Sequence, residues 1–115
     1  MNRLEMKRPD SVRICGQVWR IQMATDKDRR REGMTTVNYG WTQYREMEIW
    51  IDPALNDQQW FLTLLHEAIH IVGEITRAKN PDKEDDVKRL ETGLFSFLTE
   101  NGIDWRRIGD GGSRR

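Results

Sequence analysis

The chain has 115 residues, of which 37% are hydrophobic and 33% charged, and this length suits one domain with a small core. Nineteen Lys and Arg residues balance nineteen Asp and Glu residues, so no general attraction to nucleic acid or an anionic membrane is expected. No apolar run could span a bilayer, Met1 to Asp10 holds no signal-peptide stretch, and the single Cys15 excludes an internal disulfide, so we expect a cytoplasmic protein.

The first half of the chain predicts short strands. Residues 1–11 are polar and charged and are predicted to form a flexible arm. From Ser11 to Ala24, β-branched and aromatic residues alternate with polar ones, and Gly16 divides them into a hairpin or two short strands. The charged segment Asp26 to Gly33 has no apolar residue and is predicted to be a solvated turn. Further strands are predicted at Met34 to Tyr39 and at Arg45 to Ile51.

A first helix is predicted from Asp57 to Gly73. Asn56 followed by Gln59 resembles a capping box, and Gly73 is a typical residue for a helix end. Apolar residues at helical spacing predict one buried stripe on this helix: Phe61, Leu62, Leu65, Ile69 and Val72.

A second helix is predicted from an N-cap at Asp82 to about Asn101, where Gly102 ends it. Its apolar stripe consists of Val87, Leu90, Leu94, Phe97 and Leu98. Residues 106–115 are rich in Gly and Arg and are predicted to be a disordered tail, which leaves a single domain over residues 12–105. Strands followed by two helices predict an α+β fold, with a small, mostly antiparallel N-terminal sheet.

Both histidines of the chain lie in the first predicted helix, in the motif His66-Glu67-Ala68-Ile69-His70. Residues four apart return to nearly the same helix face, so His66 and His70 can present two imidazoles to one metal ion. Glu67 lies beside that pair, where a carboxylate can take a proton from a water that zinc activates. The spacing therefore predicts a Zn²⁺ site with Glu67 as general base.

A catalytic zinc site needs a third protein ligand. The chain has no third histidine, so the ligand is expected to be a carboxylate of the second helix. Glu84 lies three residues before Val87, on the inward stripe near the helix start, whereas Glu91 borders the stripe further along. Asp85 and Asp86 also qualify, although acidic residues favour the first turn of any helix. Glu84, Glu91 and Asp86 remain the main alternatives at this point.

Two further groups bear on the chemistry. A zinc peptidase needs a group that polarises the substrate carbonyl, and Tyr39, Tyr44 and Arg45 lie on or near the strands before the helix. Packing at an interface is the alternative role for both tyrosines. Cys15 is not expected to be a nucleophile, because both histidines that could activate it are assigned to the metal.

The sequence Leu64-Leu65-His66-Glu67-Ala68-Ile69-His70, together with Glu84 to Leu90 and Gly93-Leu94, resembles small phage and prophage-encoded zincin-like proteins. These are related in pattern to the ImmA/IrrE metallopeptidase group. The resemblance extends over roughly Val12 to Asn101. It implies a minimal zincin-like fold with a glutamate as the third zinc ligand, and it favours Glu84 through the pattern E-x-x-V.

The sequence as a whole predicts a cytoplasmic zinc metallopeptidase in which activated water attacks a peptide bond with Glu67 as general base. Its partner would be a peptide or protein substrate, such as a host or phage regulator. Binding to nucleic acid or to a membrane is not expected. One alternative is a non-catalytic, zinc-stabilised phage regulatory or binding protein. Another is a nucleic-acid-binding accessory protein that uses Arg29, Arg30, Arg31 and the Arg114-Arg115 tail.

Overall fold

The computed structural model describes residues 7–34, 39–80 and 82–102. Four strands and one short helix occupy the first half of the chain, and two long helices follow. In chain order these elements are β1 (Ser11–Ile14), β2 (Gln17–Met23), α1 (Asp26–Arg31), β3 (Gly40–Gln43), β4 (Glu48–Ile51), α2 (Asp57–Thr76) and α3 (Glu84–Glu100).

The strands form one mixed sheet in the order β1-β2-β4-β3. Strand β2 runs parallel to β4, with Ile21 opposite Ile49, and the chain between them passes through α1 and β3. Strand β3 runs antiparallel to β4, with Thr42 also opposite Ile49. The hairpin predicted around Gly16 is confirmed, and Gly16 takes the positive φ of 80° that its turn requires. The predicted α+β class is confirmed, with a sheet that is mixed.

Contacts divide the chain into two compact units, Met1–Val12 with Val18–Ala68 and Arg13–Gln17 with Ile69–Arg115. The predicted boundaries of a single domain over residues 12–105 stay predictions. The buried apolar residues of the first unit are Val12, Trp19, Ala24, Trp41, Ile49, Ile51, Trp60, Leu64 and Ala68. Those of the second unit are Ile14, Ile71, Val72, Ala78 and Phe97.

The charged segment after β2 forms helix α1, so the prediction of a solvated turn at Asp26 to Gly33 is wrong. Thr25 caps this helix: its hydroxyl accepts a hydrogen bond from the Asp28 main-chain N–H at 3.3 Å, and the Asp28 carboxylate accepts one from the Thr25 N–H at 3.0 Å. The Thr25 main-chain N–H and then its hydroxyl hold the pKa of Asp28 below its usual value. This reciprocal cap stabilises α1 although the segment has no apolar side chain to bury.

Arg29 of α1 is only 2% exposed, although it lies in the most charged part of the sequence. Its guanidinium donates to Asp26 at 2.8 Å and to Asp52, which follows β4. The two carboxylates supply the hydrogen bonds that a buried charge requires. Arg31 pairs with a carboxylate as well, and its guanidinium lies over the Trp50 ring at 5.7 Å. Arg29 is therefore removed from the surface that a nucleic-acid-binding role would need.

Helix α2 begins as predicted and ends later than predicted. The Asn56 side chain accepts a hydrogen bond from the Gln59 N–H at 2.8 Å, which confirms the N-cap. The helix passes through Gly73 and ends after Thr76, where Arg77 adopts a left-handed φ of 60° and the Ala78 N–H bonds back to the Gly73 carbonyl at 3.1 Å. This 6→1 bond is a Schellman motif with arginine at the position usually held by glycine.

The buried face of α2 is not the predicted stripe. Leu62, Leu65 and Ile69 are 51%, 36% and 40% exposed. Val72 of the predicted stripe is buried as expected, and the other buried apolar residues occur at different helical positions: Trp60, Leu64, Ala68 and Ile71. Apolar residues lie on two overlapping faces of this helix. The face that packs against the rest of the protein is the one that carries the large Trp60 ring. Consequently the two histidines, which directly follow Leu65 and Ile69, lie on the exposed side.

Helix α3 begins at Glu84, two residues after the predicted N-cap, and Lys83 precedes it without a side-chain cap. Its end is confirmed at Asn101, whose amide donates to the Phe97 carbonyl at 2.6 Å and to the Arg13 carbonyl at 2.7 Å. None of the helices in the described ranges is long and apolar enough to cross a membrane.

The two predicted terminal segments are only partly described. Residues 1–6 of the predicted arm and the whole predicted tail at 106–115 lie outside the described residues. Within the arm, the Arg8 guanidinium donates to the Pro53 and Leu55 carbonyls at 3.0 and 2.6 Å and pairs with Asp57 at 3.0 Å. These bonds attach Arg8 to the segment that leads into α2.

Two helical glycines are expected to respond to alanine in opposite directions. A Cβ at Gly93 would overlap Val72 Cγ1, whereas a Cβ at Gly73 would meet only the Ala78 carbonyl oxygen, at an ordinary 3.5 Å. We expect Gly93→Ala to lower the free energy of unfolding by about 1–3 kcal/mol through overpacking. Gly73→Ala should raise it by about 0.5–1 kcal/mol through helix propensity. Urea denaturation measures both, and equal shifts in the two variants would contradict this packing.

Candidate active site

The predicted HExxH motif lies within α2, and its three chemical side chains differ in exposure. His66 and His70 are exposed and one helical turn apart, so both imidazoles lie on the same side of the helix. Glu67, between them in sequence, is only 8% exposed. The motif thus combines two accessible nitrogen donors with a carboxylate that is largely removed from solvent.

The buried Glu67 carboxylate is held by a strand residue that precedes it by 25 positions. The Thr42 hydroxyl of β3 donates a hydrogen bond to Glu67 Oε1 at 2.7 Å. A carboxylate that is buried needs such a donor, because a charged oxygen without one loses its hydration without compensation. The bond therefore joins the centre of the motif to β3, an edge strand of the sheet.

Gly40 allows β3 to lie this close to α2. A Cβ on Gly40 would fall 2.6 Å from the Trp50 main-chain oxygen and 2.8 Å from Thr63 Cγ2, and both distances are shorter than real contacts. Gly40 and Thr42 are two residues apart on the strand, while Thr63 and Glu67 are four apart on the helix. One strand face therefore meets one helix face at both positions.

A cavity of about 290 Å³ opens beside the motif. Its lining comes from the start of β3 and from α2: Tyr39, Gly40, Leu62, Thr63, His66 and Glu67. Strand β3 ends the sheet, so within the described part of the chain one of its edges has no strand partner. The cavity thus has a proton-accepting group, an imidazole and an open strand edge within one compact unit.

The structure separates the two tyrosines that were candidates for carbonyl polarisation. Tyr39 lines the cavity together with His66 and Glu67, and the residue is 48% exposed. Tyr44 packs edge-to-face against Trp19, with ring centroids 5.9 Å apart, which is the packing role given above as its alternative. Arg45, the third candidate, is exposed in the turn between β3 and β4. Only Tyr39 is brought to the motif.

The three main candidates for the third ligand lie in different surroundings. Glu84 is the exposed first residue of α3, and Glu91 lies further along, beside Leu94 on a groove. Asp86 is 8% exposed, and its two oxygens accept hydrogen bonds from the Asn80 N–H at 2.9 Å and from Arg89 at 3.0 Å. These bonds give Asp86 a structural role in the turn before α3.

No group of three or more His, Cys, Asp or Glu side chains arranged to hold a metal ion is found in the described residues. The donor set on α2 itself suits zinc, since exposed imidazoles at i and i+4 are common zinc ligands. His66 and His70 therefore fit the ion that the motif implies, and Glu84 as third ligand stays a prediction.

Cys15 lies in the left-handed turn between β1 and β2, with φ at 50°. Burial, and then the nearby Glu100 carboxylate, raise the pKa of its thiol. Because the thiolate is the reactive form, this environment is the opposite of one that activates a nucleophile.

Sequence reasoning missed Gly40 and Thr42. The strand predicted at Met34 to Tyr39 stopped one residue short of β3, and the next predicted strand began at Arg45, so both residues fell in between. Residues 35–38 lie outside the described part of the chain. The signal in the sequence was a small residue and a hydroxyl residue two positions apart, on what the structure shows to be β3.

No protein-family model, curated protein or solved structure matches this chain. The resemblance to zincin-like phage proteins therefore rests on the residues quoted for it and stays a prediction.

Proposed function

We propose that this chain is a zinc-dependent metallopeptidase of minimal zincin type. The observation that carries the proposal is the arrangement of Glu67: a buried carboxylate, held by Thr42, between two exposed histidines one helical turn apart. A chance pair of histidines would not explain a buried carboxylate between them. Burying a charged carboxylate costs free energy, and such groups cluster at functional sites.

His66 and His70 would hold the ion, and Glu84 is the third ligand that we propose. Zinc, when bound, supplies Lewis acidity that polarises a carbonyl and lowers the pKa of water. Two imidazoles and one carboxylate are the protein ligands of many catalytic zinc sites, which leave one position open. Glu91 remains the alternative third ligand, whereas the hydrogen bonds of Asp86 make that residue a poor one.

The chain's own residues then supply binding and proton transfer. The open edge of β3 can accept an extended peptide through main-chain hydrogen bonds, which would place a peptide carbonyl beside the cavity. Glu67 accepts a proton from the attacking water and delivers it to the leaving amine. The Tyr39 hydroxyl is the candidate donor to the carbonyl oxygen, since Tyr39 lines the same cavity.

A cleavage assay on a peptide library tests this proposal. Purified protein, stripped with a chelator and reloaded with zinc, is incubated with peptides prepared from a bacterial proteome, and new termini are identified by mass spectrometry. We expect cleavage by the reloaded protein and none by the stripped protein. Equal peptide profiles in both samples would contradict peptidase activity.

A non-catalytic, zinc-stabilised regulatory or binding protein is the second candidate. It is favoured by two observations: the Thr42–Glu67 bond fastens α2 to β3, which is a structural task, and α2 exposes Leu62 and Leu65 to a partner. If this reading holds, zinc raises the melting temperature, no library peptide is cleaved, and Glu67→Gln behaves as the wild type.

A further inference from the structure

The carboxylate that acts as base in the proposed function has a defined neighbour on the sheet. Glu67 has three rotatable bonds, and a free glutamate side chain samples many rotamers. Here the side chain is 8% exposed, and its Oε1 accepts the Thr42 hydroxyl at 2.7 Å. Burial together with a short hydrogen bond to a charged oxygen restricts the carboxylate to one orientation.

The distance between Thr42 and Glu67 depends on the backbone approach at Gly40. Strand β3 could not keep this position with any larger residue at 40, because the Cβ would meet the Trp50 oxygen and Thr63 Cγ2 at 2.6 and 2.8 Å. The pairing of Thr42 with Ile49 on β4 in turn fixes which side of β3 faces the helix. The close approach at Gly40 and the pairing of Thr42 with Ile49 together fix the position of the Thr42 hydroxyl.

We infer that Thr42 is a positioning residue for Glu67, an inference that rests on the proposed peptidase function. The Thr42 hydroxyl donates to Oε1 and thereby orients Oε2 as the oxygen that takes the proton from water and returns it to the leaving amine. Thr42 touches neither substrate nor metal in this role. It sets the geometry of the base, so its loss lowers kcat and leaves KM and zinc binding unchanged.

The test compares Thr42→Val, which removes the hydroxyl at constant shape, with Thr42→Ser, which keeps it. The probes are library peptides that the wild-type protein cleaves. We expect Thr42→Val to lower kcat by about 10- to 100-fold with KM unchanged, and Thr42→Ser to retain most of the wild-type kcat. Zinc content after reloading should be equal in all three proteins. Crystal structures of the metal-free proteins should show the Glu67 carboxylate displaced in Thr42→Val alone.

Thr76→Val is the matched control. Its hydroxyl bonds to the Val72 carbonyl at 2.7 Å, nine residues beyond Glu67 on the same helix, so this variant should cleave as the wild type does. Thr42→Ala replaces Thr42→Val if the valine variant does not fold. An unchanged kcat in the hydroxyl-free variant, or no rescue by serine, overturns the role of Thr42 alone. A wild-type protein that cleaves no peptide overturns the proposed function, and this inference with it.

Discussion

Glu67→Gln is expected to keep the wild-type zinc content and to lower turnover of cleaved peptides by about 10²- to 10⁴-fold, the usual contribution of a positioned general base. Glutamine has the same shape, and its carbonyl oxygen can still accept the Thr42 hydroxyl, so the buried contact at 2.7 Å is preserved. What is lost is the ability to take a proton. The measurement pairs kcat on library peptides with zinc content by mass spectrometry.

Glu74→Gln is the control for this substitution. Glu74 lies two turns further along α2, is exposed, and pairs with Lys79 at 2.8 Å, so the same chemical change there should leave turnover unaltered. A Glu67→Gln protein that cleaves as fast as the wild type would remove Glu67 from the chemistry.

His66→Ala and His70→Ala should each abolish both zinc binding and turnover. Even groups that only orient a zinc ligand change metal affinity by about 10- to 100-fold, so the loss of a ligand should weaken zinc binding by more than about 100-fold. Both histidines are exposed on α2, and their replacement by the better helix former alanine should leave the metal-free fold intact. Zinc titration with a competing chelator measures the affinities.

Gln58→Ala provides the comparison, because Gln58 is another exposed residue of α2 outside the motif. Its affinity for zinc and its melting temperature with zinc should match those of the wild type. The chelator should lower the melting temperature of wild-type protein and leave that of His66→Ala unchanged. Tight zinc binding by both histidine variants would place the ion at a site other than His66 and His70.

The parts of the fold that depend on neighbouring residues could be predicted from the sequence. The Asn56 cap, the turn at Gly16 and the helical setting of the HExxH motif all follow from side chains within four positions of one another. Helix α1 also depends on neighbouring residues, because Thr25 and Asp28 form a reciprocal cap that outweighs the lack of apolar residues.

The parts that depend on distant contacts could not be predicted. Helix α2 carries two overlapping apolar sets, and only packing decides that Trp60 is buried while Leu62 is exposed. Thr42 meets Glu67 from 25 positions away, through an approach that Gly40 permits. The periodicity of apolar residues predicts a helix, but it does not predict which strand packs against that helix. For this reason the motif was found and the residue that holds its base was not.

The most direct test of the central claim is the zinc stoichiometry of wild-type protein, purified without chelators, dialysed against buffer with trace zinc and measured by inductively coupled plasma mass spectrometry. We expect about one zinc ion per chain, lost when His66 or His70 is replaced by alanine. A chain that retains no zinc under these conditions would contradict it.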